Sequence, residues 1–444
     1  MDAEEAREGV VLHLVGGDDL VELAAPLQRL LDLQGFTGDV GQRAIVTDSG
    51  LQVFVGMGSR ADRQTIRSAI TSLGVPTSHG VRLGVVTSGV TDIDCAAAAR
   101  RELVVAGYTC DAMDARSPEG IEASVEAVAL KRARRWTNAS GAALYPSRFA
   151  DVANDLAQET ELSVDVWNAT RLEAEGCRAI LAVGQGSIHE PRLVDVRYEP
   201  TNPVATVTLV GKGVTFDTGG LSLKSPAAMA SMRMDKVGAA TILAVMSTLP
   251  EWGIPVRVRG LLPLAENMIG PRAVRPGDVV VGRSGVPITI MDTDFEGRVL
   301  LSDALTLACE EPTDAIIDVA ALTYQVAIAL GNEIGGLFSN DDRLALELID
   351  AGRLAGEDWW RLPLAHRYLP QVVTADGVKN HPESDVGRAI TAALFLERFV
   401  SADIPWAHLD MTGVAWSGPA SGPGATGAGV RTLIEFLRLR AAEV

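Results

Sequence analysis

A group of acidic and basic side chains between residues 212 and 298 has the composition of a centre for divalent cations. Its members are Lys212, Asp217, Lys224, Asp235, Asp294, Glu296 and Arg298. Carboxylate oxygens bind zinc and harder divalent ions. Two such ions about 3.5–4 Å apart can clamp a substrate oxygen and activate a water molecule. Two divalent cations would also balance the four carboxylates of this group, which could not be buried unpaired.

The lysines of this group suit two different tasks. A lysine binds a metal ion only as the neutral amine, and two adjacent cations would lower its pKa enough to permit that. A second lysine that stays charged would face the oxyanion that forms during attack on a carbonyl. From the residues alone an alternative stays open, in which each acidic residue is a helix cap, a turn former or a surface charge.

Sequence patterns of other catalytic sites are absent from the chain. It contains neither HExxH nor GxSxG. The turn Gly211–Gly213 lacks the upstream glycine and the following Ser or Thr of a phosphate-binding loop. The six histidines are isolated, and the four cysteines have no zinc-ligand spacing. We therefore expect structural roles for the histidines and free thiols for the cysteines.

Predicted strands and helices bring the acidic residues toward each other. The β-branched apolar run Val204–Val210 predicts a buried parallel strand, with Lys212 and Asp217 in the turn that follows it. The segment Met229–Leu249 predicts a helix that contains Asp235. Its small residues, at positions 238–240, would let this helix pack closely.

A second predicted strand leads to the other half of the group. Val286–Met291 has a strand pattern. On an extended segment after it, Asp294 and Glu296 would point to the same face, because side chains alternate along a strand. Arg298 would continue that face, and Phe295 would point away from it.

Alternating strand and helix patterns along the whole chain predict an α/β fold in two domains. Residues 1–137 form a predicted smaller N-terminal α/β domain that ends in a connecting helix, Ile121–Trp136. Residues 138–444 form a predicted larger C-terminal α/β domain with a mixed, largely parallel sheet flanked by helices. Other predicted strands are Val10–Val15, Gln52–Gly56, Val81–Val86, Ser163–Val166 and Ala179–Val183. Other predicted helices are Leu20–Leu33, Asp62–Leu73, Cys95–Ala106, Ser147–Glu159 and Val430–Ala442.

Composition indicates what the chain does not bind. The formal net charge is −18, from 39 basic and 57 acidic residues. Such a surface repels nucleic acid and anionic membranes, so we expect neither as a partner. The N-terminus lacks the basic and apolar regions of a signal peptide, and polar residues interrupt the most apolar stretch, 318–338. We therefore expect a cytoplasmic location.

Three segments of the sequence resemble the leucine aminopeptidase family, also called cytosol aminopeptidases. They are Leu209–Lys224 (LVGKGVTFDTGGLSLK), Met232–Ala240 and Thr293–Leu300 (TDFEGRVL). The resemblance runs from about residue 140 to the end and is faint before it. It implies a dinuclear metallo-aminopeptidase that removes the N-terminal residue of peptides. It also implies two Mn²⁺ or Zn²⁺ ions per chain, a bound bicarbonate and a homohexamer.

The same resemblance implies a role for each residue of the group. The tighter metal ion would be held by Lys212, Asp217, Asp235 and Glu296. The more exchangeable ion would be held by Asp217, Asp294 and Glu296.

The remaining roles implied by the resemblance concern the substrate. Lys224 would polarise the scissile carbonyl and the oxyanion, and Arg298 would hold the bicarbonate that relays a proton. Met232, Thr323 and Tyr324 would contact the substrate.

The chain departs from the family pattern beside these positions. Asp292 replaces an asparagine, Phe295 replaces a small residue, and the segment 321–324 reads ALTY where the family has TLTG. We expect Tyr324 to make the pocket for the first residue shallower, unless its phenol turns outward. Two other functions stay open: a metal-binding hexamer with a structural or regulatory role and little peptidase activity, and an amidase or dipeptidase that uses the same site.

Overall fold

The computed structural model describes residues 10–16, 43–46, 52–58, 66, 83–88, 118–417 and 424–442. The chain divides into two compact units, residues 1–128 with 354–356 and residues 129–353 with 357–444. The domain boundary at 137/138 stays a prediction. The predicted helices Leu20–Leu33, Asp62–Leu73 and Cys95–Ala106 lie outside the described residues, apart from Ile66, which is helical.

The first unit contains a four-stranded sheet. Its strands are β1 Val10–Gly16, β2 Arg43–Val46, β3 Gln52–Gly58 and β4 Leu83–Ser88. In the order β2-β3-β1-β4, β1 runs parallel to both β3 and β4, while β2 is antiparallel to β3. Strands β1 and β3 match the predicted strands Val10–Val15 and Gln52–Gly56, and β4 overlaps the predicted strand Val81–Val86, whereas β2 was not predicted. Helix α1, Pro118–Asn138, matches the predicted connecting helix and extends it at both ends.

The second unit is built on a nine-stranded sheet. The strands after residue 160 are β5 Ser163–Trp167, β6 Arg192–Tyr198, β7 Ala205–Gly211, β8 Gly213–Asp217, β9 Val256–Asn267, β10 Val279–Val281, β11 Pro287–Thr289, β12 Ala315–Ala320, β13 Ile334–Ser339, β14 Asp358–Arg361, β15 Val378–Lys379, β16 Trp406–Asp410, β17 Trp416–Ser417 and β18 Gly424–Ala425. The large sheet has the order β14-β13-β16-β12-β7-β9-β6-β5, and β8 also pairs with β9.

The middle of this sheet is parallel. Strands β16, β12, β7 and β9 run in one direction, and β8 is parallel to β9. Antiparallel pairs join β13 to β16, β9 to β6 and β6 to β5, while β14 is parallel to β13. The predicted mixed, largely parallel sheet is therefore confirmed. The carboxyl ends of parallel strands meet at one edge, which is where ligands collect in such folds.

Helices pack against the sheet. After α1 the chain forms α2 Pro146–Glu159, α3 Ala169–Ala174, α4 Arg178–Gly184, α5 Pro226–Met229, α6 Val237–Met246, α7 Leu249–Trp252, α8 Glu296–Ala308, α9 Tyr324–Leu330, α10 Asp342–Ala355, α11 Arg388–Glu397 and α12 Val430–Ala442. Both α6 and α8 pack on β7 and β9. All ten residues of α6 are buried, as expected of a helix that is apolar on every side. No helix within the described part of the chain is both long and apolar enough to cross a membrane.

One predicted strand has a different structure. The segment Ala179–Val183, predicted as a strand, is the buried helix α4. Short apolar runs do not distinguish strands from helices by periodicity. Here the carboxylate of Asp303 accepts a hydrogen bond from the Ile180 backbone N–H at 3.0 Å and so caps the start of the helix.

Candidate metal centre

The first part of the site lies where β7 gives way to β8. Lys212 separates the two strands, and Asp217 is the last residue of β8. The start of α6 lies against this junction, because Gly211 and Gly238 have no side chains. A Cβ on Gly211 would lie 2.8 Å from the Ala239 Cα, and a Cβ on Gly238 would lie 2.9 Å from the Lys212 backbone nitrogen. The close packing predicted for this helix is confirmed.

Asp235 lies in a short 3₁₀ helix rather than in the predicted long helix. This 3₁₀ helix, Met232–Lys236, precedes α6. The fully buried Lys236 fixes it, because its ammonium donates to the carbonyl oxygens of Ala139 at 2.8 Å, Thr215 at 3.1 Å and Arg233 at 2.7 Å. Burial lowers the pKa of Lys236 to about 7. Lys236, which follows Asp235, thus joins the 3₁₀ helix to β8 and to the segment after α1.

The expectation that Glu296 and Arg298 continue an extended face is wrong. The chain turns at Phe295, and Glu296 is the first residue of α8. Arg298 therefore points from a helical turn. Asp294 and Glu296 nevertheless converge, because the turn before α8 brings both carboxylates to the end of β8, close to Asp217.

The acidic side chains that the sequence singled out meet at this point. Carboxylate oxygens of Asp217, Asp294 and Glu296 all lie within 4.8 Å of one another. Lys212 Nζ lies 2.6 Å from Asp235 Oδ1 and 2.9 Å from Glu296 Oε1. The structure therefore brings four carboxylates and Lys212 into one buried cluster.

Lys224 reaches the same cluster from the loop after β8. Its Nζ lies 2.9 Å from Asp217 Oδ2 and also contacts Asp294. Its side chain is 14% exposed, compared with 4% for Lys212. Of the two lysines, Lys224 is therefore the one that an incoming ligand can reach.

Unpaired polar atoms show that this cluster suits cations. Asp235 Oδ2 and Glu296 Oε2 are buried without any hydrogen-bond partner. Burial raises the pKa of Asp235 well above the usual range, despite the opposing charge of Lys212. Burial and the charge of Glu296 likewise raise the pKa of Asp217. Four carboxylates face two lysines here, so the donor set matches additional positive charge.

The pKa of Lys212 depends on the same balance. Burial acts to lower it, but the carboxylates of Asp235 and Glu296 outweigh burial and raise the pKa above that of an ordinary lysine. A neutral, metal-binding Lys212 thus needs the neighbouring carboxylates to be neutralised by cations.

Arg298 is completely enclosed beside the cluster. Its Nε and Nη1 have no hydrogen-bond partner, and the rings of Phe295 and Phe395 lie 4.9 and 6.0 Å from its guanidinium carbon. Burial lowers the pKa of Arg298 to about 9, against the opposing charges of Glu296 and Asp410. Two free donors in a buried site suit a small anion. The Phe295 ring also contacts His381, with centroids 4.4 Å apart, so it packs against both Arg298 and His381.

Other polar residues hold the ligands in place, and sequence reasoning missed them. Asn267 Nδ2 donates to Asp217 Oδ1 at 2.8 Å and to the Thr293 carbonyl at 3.0 Å. Asn380 donates to the Asp292 carbonyl at 2.6 Å and accepts from the Met291 N–H at 2.8 Å. Asn267 ends strand β9, a position that could have identified it, whereas no local signal marks Asn380.

Asp292 does not point freely to solvent. Its Oδ1 accepts a hydrogen bond from the Asp294 backbone N–H at 2.9 Å. The side chain therefore shapes the turn that carries Asp294. Its charge also acts on Arg298 and His381.

The three residues predicted to contact substrate lie on two elements. Met232 begins the 3₁₀ helix that carries Asp235. Thr323 is buried, and its Oγ1 donates to Asp410 Oδ2 at 2.7 Å. Tyr324 is the first residue of α9 and is 70% exposed, so its phenol does not fill a cavity.

The chain is similar to known proteins of one family. The model of the catalytic domain of the cytosol aminopeptidase family matches residues 131–434. A probable cytosol aminopeptidase from Leifsonia xyli subsp. xyli is 36% identical, across 98% of this chain and 94% of that protein. One from Rhodopirellula baltica is 42% identical across 69% of this chain and 61% of that protein, so this match spans less than two thirds of its length.

A solved structure is similar in fold to this chain. The bottromycin maturation enzyme BotP in complex with Mn is 35% identical, with a TM-score of 0.86, and the match covers 98% of this chain and 100% of that one. A carboxylate–lysine cluster at the end of parallel strands defines a metal-dependent hydrolase. The chain belongs to the cytosol aminopeptidase family, which consists of metal-dependent peptidases.

Proposed function

We propose that this chain is a dinuclear metallo-aminopeptidase that hydrolyses the bond after the N-terminal residue of peptides. The observation that carries the proposal is the cluster of Asp217, Asp235, Glu296 and the half-buried Asp294, with its two unpaired carboxylate oxygens. Lys212 would complete the set that holds two divalent ions, Mn²⁺ or Zn²⁺. When bound, such ions activate water and polarise a carbonyl group.

The chain's own cations have separate tasks in this mechanism. Lys224 is the more accessible lysine and would hydrogen-bond to the carbonyl oxygen of the substrate as negative charge develops there. Arg298, with two free donors, would hold a bicarbonate that accepts the proton of the attacking water. Met232, Thr323 and Tyr324 would contact the substrate.

The remaining parts of the proposal rest on membership of the family. We propose a homohexamer in the cytoplasm, with residues 138–444 as the dinuclear peptidase domain and residues 1–137 as a separate α/β domain. No feature of the described residues favours a purely structural or regulatory hexamer. Light scattering would test the assembly, since a hexamer has six times the chain mass of 46.8 kDa.

A substrate panel tests the activity. The purified full-length chain would be stripped with a chelator, reloaded with Mn²⁺ or Zn²⁺, and assayed on leucinamide, N-acetylleucinamide, a dipeptide and a tetrapeptide. An aminopeptidase releases the first residue of the tetrapeptide and leaves the acetylated amide intact. Hydrolysis of the acetylated amide would indicate an amidase, and hydrolysis of the dipeptide alone would indicate a dipeptidase. A metal-loaded chain inactive on every substrate would contradict the proposal.

A further inference from the structure

Asp410 is a fully buried carboxylate surrounded by hydrogen-bond donors. It ends strand β16, beside Ala320 at the end of β12. Its Oδ2 accepts from the Thr323 N–H at 3.0 Å and the Thr323 Oγ1 at 2.7 Å, and its Oδ1 accepts from the Leu322 N–H at 3.3 Å. Oδ1 also accepts from the N–H and hydroxyl of Thr412, at 3.0 and 2.7 Å. A carboxylate accepts at both oxygens, whereas an asparagine would turn an NH₂ group toward one set of donors.

These bonds fix the direction of the loop 321–323. Its N–H groups at Leu322 and Thr323 point to Asp410. The carbonyl oxygen of Ala321 points the other way and accepts a hydrogen bond from Lys212 Nζ at 3.2 Å. The loop is therefore held between a buried anion on one side and a lysine of the metal centre on the other.

Lys212 connects this loop to the carboxylates. Its ammonium contacts Asp235 and Glu296 as well as the Ala321 carbonyl. A displacement of the loop therefore changes the position of Lys212. It also moves Thr323, which is buried and adjoins the exposed Tyr324.

Basic side chains lie behind Asp410. His408 Nε2 lies 4.0 Å from Asp410 Oδ2, and His408 Nδ1 is hydrogen-bonded to Asp318 Oδ1 at 2.6 Å. Burial acts to lower the pKa of His408, but Asp318 and Asp410 outweigh it and raise the pKa. Arg298 also interacts electrostatically with Asp410.

We propose that Asp410 is a positioning residue of the metal centre, which holds the loop 321–323 so that the Ala321 carbonyl orients Lys212. The expected effects on catalysis rest on the proposed function, whereas the expected effect on metal binding does not. Outer-shell partners of metal ligands typically change metal affinity or activity by about 10–100-fold when mutated.

The test compares Asp410→Asn with the matched variant Asp318→Asn. Asp318 is equally buried on the neighbouring strand, but its carboxylate accepts from Trp406 Nε1 and His408 Nδ1 and makes no hydrogen bond to the loop. Both variants lose a buried carboxylate, so both are expected to lower Tm. Only Asp410→Asn is expected to weaken Mn²⁺ binding in a competition titration with a chelator, by about 10-fold or more, and to raise KM.

Two outcomes would overturn the inference. One is an Asp410→Asn protein with wild-type Mn²⁺ affinity and wild-type KM. The other is an equal loss of Mn²⁺ affinity in Asp318→Asn, which would indicate a general effect of core damage. If Asp410→Asn does not fold, Thr323→Val, which removes one bond to Asp410 but keeps the backbone, replaces it and must show the same direction of change. The titration needs no substrate, so it stands even if the wild type hydrolyses no peptide.

Discussion

Lys224 bridges the carboxylates of Asp217 and Asp294 while its side chain stays partly accessible. We expect Lys224→Ala to lower kcat by roughly 10²–10³-fold, the usual loss for an oxyanion donor, because no other accessible lysine of the described cluster can take its place. Metal content should stay normal, since the four carboxylates remain. Steady-state kinetics and metal analysis check both results, with Lys131→Ala on the exposed face of α1 as control. A Lys224→Ala enzyme with wild-type kcat would show that this role is wrongly assigned.

Phe295 covers one face of the buried Arg298 guanidinium. Replacing it with alanine opens space beside the two free donors of Arg298. We therefore expect Phe295→Ala to be activated more strongly by added bicarbonate than the wild type, and Arg298→Ala to lose the response together with part of its kcat. Initial rates at increasing bicarbonate measure this. Identical bicarbonate curves for wild type and Phe295→Ala would argue that the ring does not restrict the anion.

The exposure of Tyr324 favours the alternative in which its phenol turns outward, rather than the one in which the phenol makes the pocket shallower. We expect Tyr324→Gly to change the ratio of kcat/KM for leucyl and alanyl amides by less than about 10-fold, the lower end of the effect of one methylene in an apolar pocket. Measuring both amides on both proteins decides the matter. A larger shift of this ratio toward the leucyl amide would indicate that the phenol narrows the pocket.

The residues of the cluster were predictable because their chemistry is encoded in residue type. Carboxylates and lysines within three short segments, together with the family resemblance, identified the residues that meet in the cluster. The residues that orient them were not predictable in the same way. Asn380 contacts the segment before α8 from 85 or more positions away, so only the fold brings it there.

At the scale of elements, α8 is positioned by a residue without a side chain. A Cβ on Gly297 would lie 2.7 Å from Lys212 Nζ. Alanine favours a helix by about 1 kcal/mol over glycine. If α8 served only as a scaffold, Gly297→Ala would therefore stabilise it. We expect Gly297→Ala instead to weaken metal binding, because the added methyl group moves Lys212 away from Asp235 and Glu296. A chelator competition titration and a Tm measurement together check this, and unchanged Mn²⁺ affinity would contradict it.

Strands were easier to predict than the turns between elements. The β-branched residues of β7 favour a buried parallel strand. In contrast, α4 has a short apolar sequence that suits either structure, and it is helical because Asp303, distant in sequence, caps it. The turn at Phe295 was not predicted. Asp294 and Glu296 are separated by one position, and their carboxylates would converge in an extended segment as they do at the start of this helix.

For the whole molecule, the proposed activity depends on the charge balance of one cluster. Four carboxylates at the carboxyl edge of the sheet carry more negative charge than Lys212 and Lys224 offset, and two of their oxygens have no partner. Binding of divalent cations removes this imbalance and, in the same step, provides the chemistry of peptide hydrolysis. The fold and the activity are thus linked through the metal site.

One titration tests this claim most directly. The full-length chain would be stripped with a chelator and titrated with Mn²⁺, while bound metal and release of leucine from a leucyl peptide are followed in the same samples. We predict no hydrolysis in the stripped protein, saturation at about two ions per chain, and activity that rises with metal occupancy. Full hydrolysis by the stripped protein, or saturation with metal without any hydrolysis, would contradict the account.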